Sequence, residues 1–171
     1  MTREFKYGLS IGGIVCAWIL LQYAFGLHTT NVAVGAYLGY ASNLIPFIGL
    51  FVLLRDRQRD RWDARLSFTR GIGSGFLTSL IAALVVYCFL SLYHTFINPD
   101  WADSMIEWQV NRMRLASMEE EVIRQRITAY RDAYSPGGLA RATIVGMTLL
   151  GSVMALFITT LLRILPAPKA R

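Results

Sequence analysis

The sequence predicts an all-α fold, a bundle of four transmembrane helices with an extracytoplasmic amphipathic helical hairpin between helices three and four. Two observations carry this expectation. Asp, Glu, Lys and Arg are absent between Lys6 and Arg55, between Arg70 and Asp100, and between Arg141 and Arg163. A hydrocarbon core about 30 Å thick is crossed by roughly 20 apolar helical residues, so the first run holds two spans and the others one each. The composition agrees: 54% of the 171 residues are hydrophobic and only 16% charged, more apolar surface than a soluble unit of this size could hide.

The first span is expected at about 7–27, behind the basic residues Arg3 and Lys6. Its apolar run is too long for a signal-peptide core and no small-x-small cleavage site follows; Val15 before Cys16 argues against lipoprotein cleavage. The connection from His28 to Val32 is short enough to force an antiparallel neighbour. The second span, about 33–54, contains Ser42, Asn43 and Pro46. The proline ring displaces the Ser42 carbonyl from its helical partner and predicts a kink near the bilayer centre. From Arg55 to Arg70 the loop alternates charge sign, as a solvated face beside lipid phosphates or a docking strip would, with Trp62 and Phe68 as interfacial anchors.

The third span, about 71–97, stops at Asn98-Pro99-Asp100. That triplet predicts a new start, with Asn98 capping, Pro99 in the first helical position and Asp100 complementing the helix dipole. Trp101, Met105 and Trp108 then recur at helical spacing. Ser117-Met118-Glu119-Glu120 has the form of a capping box, followed by a stripe of Ile123, Ile127, Tyr130 and Tyr134. Residues 98–135 therefore read as a helical hairpin. The fourth span, about 139–165, lies between Ser135-Pro136-Gly137-Gly138 and Pro166-Ala167-Pro168. No linker or low-complexity tract divides residues 1–171, so one integral membrane domain is the economical reading.

Arginine and lysine set the orientation. Arg3 and Lys6, then Arg55, Arg57, Arg59, Arg61, Arg65 and Arg70, then Arg163, Lys169 and Arg171 fall on one side of a four-span chain. That side is expected to be cytoplasmic, with the near-neutral hairpin exported. The formal charge of +6 thus sits at membrane boundaries, which argues for lipid and against nucleic acid as the partner.

Chemistry is scarce. None of the four charged residue types lies within a span, which disfavours a proton-coupled pump, and no paired carboxylates, Ser/His/Asp set or phosphate-binding glycine loop occurs. No catalytic residue, metal site or cofactor is therefore expected, and Cys16 and Cys88 read as small apolar side chains. His28 and His94 reach similar depth on different helices and are the candidate ligands for a haem, metal or pigment. The plainer reading puts both in the wet interface with Tyr23, Tyr93 and Trp101. A lipid-modifying enzyme would need Glu107, Glu119 or Asp132 to gather around His94.

Asn43, beside Pro46, is expected either to hydrogen-bond a neighbouring helix, with Ser152 at comparable depth, or to line a polar cavity. Small residues recur every fourth position, including Gly8 and Gly12, Gly35 and Gly39, and Gly71 and Gly75. Such tracts let helix backbones approach in lipid. With Trp101 and Trp108 on the hairpin, these are the expected packing or partner contacts.

Lys6-Tyr7-Gly8, Leu38-Gly39-Tyr40, Leu66-Ser67-Phe68 with Gly71, Phe96-Ile97-Asn98-Pro99-Asp100-Trp101 and Met118-Glu119-Glu120 come in an order that resembles the bacterial family called domain of unknown function 4199. The resemblance covers nearly the whole chain, and the Asn-Pro-Asp segment is its most specific part. It implies a four-span protein of the bacterial inner membrane and supplies no activity, cofactor or catalytic residue. The expectation is a non-catalytic accessory subunit of a larger membrane complex, respiratory or photosynthetic, whose partners are lipid and other membrane proteins or itself. The alternative is a small transporter or channel formed by self-association.

Overall fold

The computed structural model describes residues 2–59 and 67–164. The readings placed on Trp62, on most of the basic loop and on Pro166-Ala167-Pro168 lie outside the described residues. The elements are α1 (Arg3–Ala24), α2 (Val32–Ala41), α3 (Leu44–Arg59), α4 (Phe68–Leu92), α5 (Trp101–Leu115), α6 (Glu120–Tyr134), α7 (Pro136–Ala140) and α8 (Met147–Ile164). A π-helical turn, Tyr93–Ile97, extends α4, and another, Arg141–Gly146, joins α7 to α8. Four continuous stretches, Arg3–Ala24, Val32–Arg59, Phe68–Ile97 and Pro136–Ile164, are long and apolar enough to cross a membrane.

The chain leaves α1 through Gly26, whose φ of 71° an L side chain rarely adopts. The Gly26 carbonyl then accepts from the backbone N–H groups of Thr29, Thr30 and Asn31. This tight reversal sets His28 over the end of α1.

The defect expected at Pro46 is a turn of tighter, three-residue hydrogen bonding. Because Pro46 has no N–H, the Ser42 carbonyl takes the nearer Ile45 N–H at 3.2 Å, and the N–H groups of Ser42 and Asn43 reach only three residues back. The second span thereby consists of two α-helical segments, α2 and α3, joined by that turn.

Helix α4 forms the centre of the bundle, and small residues decide what approaches it. A methyl group at Gly8 would stand 2.7 Å from Ile81 Cβ, and one at Gly12 would stand 2.8 Å from Val85 Cβ, so α1 packs on α4 only with hydrogen there. On the opposite side Gly71 and Gly75 accommodate Thr159 and Ala155 of α8, and Gly151 accommodates Ser79. Helix α3 completes the core with Leu50, Leu53 and Leu54 against Ala155, Ile158 and Leu162. Close approach of this kind supplies the dispersion contacts that hold helices together in lipid.

Outside the bundle, α5 and α6 pack through Val110, Met113 and Ile123. Helix α5 is apolar on two sides: this stripe faces α6, whereas Trp101 and Met105 line a cavity of the bundle. Two expected caps differ. Ser117 adopts a φ of 54° and its N–H and that of Met118 bond the Arg114 and Met113 carbonyls. It is thus spent terminating α5, and α6 starts at Glu120 behind Glu119 without a capping box. Asn98 turns its side chain inward, so Asp100 takes the N-cap position of α5, without a side-chain bond. Ser135 caps α7 by accepting from the Gly138 N–H at 3.1 Å, which starts the fourth span at Pro136, earlier than expected.

Candidate functional site

Two polar clusters close the two ends of the bundle. At the end carrying Arg3 and Arg163, buried Glu4 of α1 accepts from Arg57 of α3 and, at 3.0 Å, from the Ser74 hydroxyl of α4. The neighbouring Gln58 is also buried; its Nε2 donates to the Leu162 carbonyl of α8 at 3.1 Å, and its Oε1 accepts from Arg55. One turn of α3 thus ties all four spans together.

At the opposite end a chain of hydrogen bonds runs from α4 to α1. Asn98 Nδ2 donates to the Tyr93 hydroxyl at 3.1 Å. That hydroxyl shares a hydrogen bond with His28 Nδ1 at 2.7 Å. His28 Nε2 in turn shares one with the Gln22 carboxamide at 3.2 Å. Burial and the adjacent His94 imidazole hold the His28 pKa below its ordinary value, which favours the neutral ring. Gln22 is only 4% exposed, and Nε2 has no hydrogen-bond partner.

Gln22 and His28 line a cavity of about 260 Å³ together with Gly39, Ser42, His94 and Trp101. The His94 and Trp101 rings lie 4.8 Å apart. A second cavity, of about 100 Å³, is lined by Ser42, Asn43 and Pro46 and by apolar residues such as Val15 and Met154. Ser42 belongs to both, so they adjoin along the second span.

His28 and His94 therefore share one cavity, but both His28 ring nitrogens are engaged within the protein. Among the described residues no three His, Cys, Asp or Glu side chains converge on a common point. Asp132 pairs with Arg141 at 2.9 Å instead of reaching His94. Asn43 is exposed and donates to the Tyr40 carbonyl at 3.1 Å; Ser152 donates to Thr148, and no interhelical bond joins the two. Gly8, Gly12, Gly71 and Gly75 lie in the interfaces already described, and Gly35 lies under the Leu27 carbonyl, whereas a methyl group at Gly39 would meet nothing within 4 Å. Trp101 packs on His94 and Tyr134, and Trp108 lies under the Arg112 guanidinium at 4.9 Å. Cys16 and Cys88 are free thiols.

Sequence reasoning passed over Glu4, Gln22 and Gln58. The signals were a lone acid in a basic tail and carboxamides in or beside apolar runs, residue types that need a partner at helix depth.

A family model described as Protein of unknown function (DUF4199) matches residues 6–163, which takes in all four spans and the hydrogen-bond chain from Gln22 to Asn98. No curated protein and no solved structure matches the chain. The match bears out the family resemblance, and this four-span chain belongs to the DUF4199 family.

Proposed function

We propose that this chain is a non-catalytic integral membrane protein that packs into and stabilises a larger complex of the bacterial inner membrane, with both termini cytoplasmic and the α5–α6 pair on the periplasmic side. The observation that carries the reading is the exposure of Asn43 and Tyr40. Counting 1.5 Å per residue from Val32, Tyr40 and Asn43 lie about 12 and 17 Å into the span, where lipid offers nothing to a phenol or a carboxamide. Asn43 Oδ1 accepts no hydrogen bond among the described residues. Val34, Tyr37, Tyr40, Leu44 and Ile48 form one exposed face across the turn. The second span is also the least covered, with 17% of its most apolar stretch buried against 28% to 33% in the other three. An amide bonded to a second helix in lipid contributes about 1–2 kcal/mol, enough to select a partner helix.

The same face serves the alternative, self-association into a small channel or transporter, since Asn43 and Pro46 also line the smaller cavity. The test is a photoreactive phenylalanine analogue at Tyr40, activated in native membranes. The accessory-subunit reading expects a crosslink to a different membrane protein. Adducts only between copies of this chain favour the channel, and adducts only with lipid remove both readings.

A further inference from the structure

The second span comes close to the first near both ends and stands away from it between them. Gly35 lies under the carbonyl of Leu27, just past α1, and Gly49 of α3 lies against Ile11 of α1. Between these contacts a methyl group at Gly39 would meet nothing within 4 Å, and both cavities, of about 260 and 100 Å³, are bordered by Ser42.

This stand-off includes the weakest stretch of the span. The N–H groups of Ser42, Asn43 and Ile45 bond only three residues back, and a short run of such bonds inside a longer helix is where it bends most readily. On one side of the turn α3 is held firmly, by fully buried Leu50, Leu53 and Leu54 and by the bonds of Arg57 and Gln58. On the other side Gly35 is the one buried residue of α2, and α5 is the element on which α2 chiefly packs. The cavity-facing residues of α2 are Gly35, Ala36, Gly39 and Ser42. Such a face lets helix backbones approach in lipid. Gly8, Gly12, Gly71 and Gly75 are in close contacts of that kind, whereas Gly39 is not. Across the larger cavity stand Ile19 of α1 and Leu90 of α4, and packing against them would gain dispersion contacts that the stand-off forgoes. We propose that α2 is a hinged element, moving about the Ser42–Ile45 turn between the position described and a closed one in which Ala36 and Gly39 pack on Ile19 and Leu90 and both cavities shrink. The motion is independent of what covers the outer face of α2.

The test is the distance between pairs of spin labels on the full chain in phosphatidylcholine nanodiscs, with Cys16 and Cys88 replaced by alanine. Tyr40, Ile48 and Leu84 are exposed, so cysteine and a label at each leave the core intact. Labels at Tyr40→Cys and Leu84→Cys join the hinged segment to α4, and labels at Ile48→Cys and Leu84→Cys join the fixed segment to it. Two distances are expected for the first pair and one for the second. Gly39→Leu, whose side chain has room in the cavity, should remove the closed component and leave the other. Pro46→Ala, which returns an N–H to the Ser42 carbonyl, should leave a single distance. One narrow distance for the Tyr40 pair would overturn the proposal. So would two distances for both pairs, which would mean that the whole span moves, or two distances for the Tyr40 pair that neither variant changes.

Discussion

Arg57, in the last turn of α3, donates to Glu4, in the first turn of α1, and so binds the two helices whose intervening partner is α2. Glu4 is buried and Arg57 partly exposed. Removing one member of such a pair leaves the other charge uncompensated. Glu4→Leu should destabilise the protein by about 2–3 kcal/mol, below the fully buried case because water still reaches Arg57. Unfolding in mixed micelles would measure it. The Glu4→Leu/Arg57→Leu double variant should recover part of the loss, and strict additivity would show that the two side chains do not act as a pair.

Gly73 and Gly75 make opposite predictions from two residues apart. A methyl group at Gly73 meets nothing within 4 Å, whereas one at Gly75 overlaps Ala155 of α8. Gly75→Ala should cost about 1–3 kcal/mol by forcing α4 and α8 apart. Gly73→Ala should be neutral or raise stability by about 0.5–1 kcal/mol through helix propensity. Thermal melts in one detergent would compare them.

Acid should loosen the cluster around His28. The folded state depresses the His28 pKa from 6.5 through burial and the nearby His94, so the unfolded chain takes up the proton first. Stability from this residue is complete above pH 6.5 and is lost as the pH falls through the lower, folded value. Melting temperature should therefore drop on acidification below that point, and the His28→Asn variant should show a flatter profile. Parallel profiles for the two proteins would remove His28 as the source.

The α5–α6 pair has its own small core, separate from that of the spans. Ile123→Ala, at a site 1% exposed, should cost about 2–4 kcal/mol locally. Hydrogen exchange would then quicken in α5 and α6 while α4 and α8 keep their protection. Uniform loss throughout would mean that the pair and the bundle unfold as one unit.

Solvent explains which features could be read in the sequence. Lipid disfavours charge in the middle of a span, so the runs bounded by Lys6, Arg55, Arg70, Asp100, Arg141 and Arg163 marked four helices directly. Pro46 marked a defect for an equally local reason, the missing N–H. The caps failed where one residue had two possible employments: Ser117 fits a capping box by spacing, yet the end of α5 claims it. Gln22 and Glu4 were illegible for another reason. Their partners lie 6 residues away at His28 and 53 away at Arg57, and only the folded geometry says which polar groups share a depth and a face. The glycines were legible as close-packing residues but not by partner, since spacing alone does not separate Gly75, under Ala155, from Gly39, beside a cavity.

Arg57 and Gln58 are consecutive, and one holds the first helix while the other holds the last. The beginning of α1 and the end of α8 are thereby moored to the same turn of α3. A one-residue insertion in α3 just ahead of Arg57 would swing both side chains about a quarter turn around the helix and so unmoor the first and last helices together.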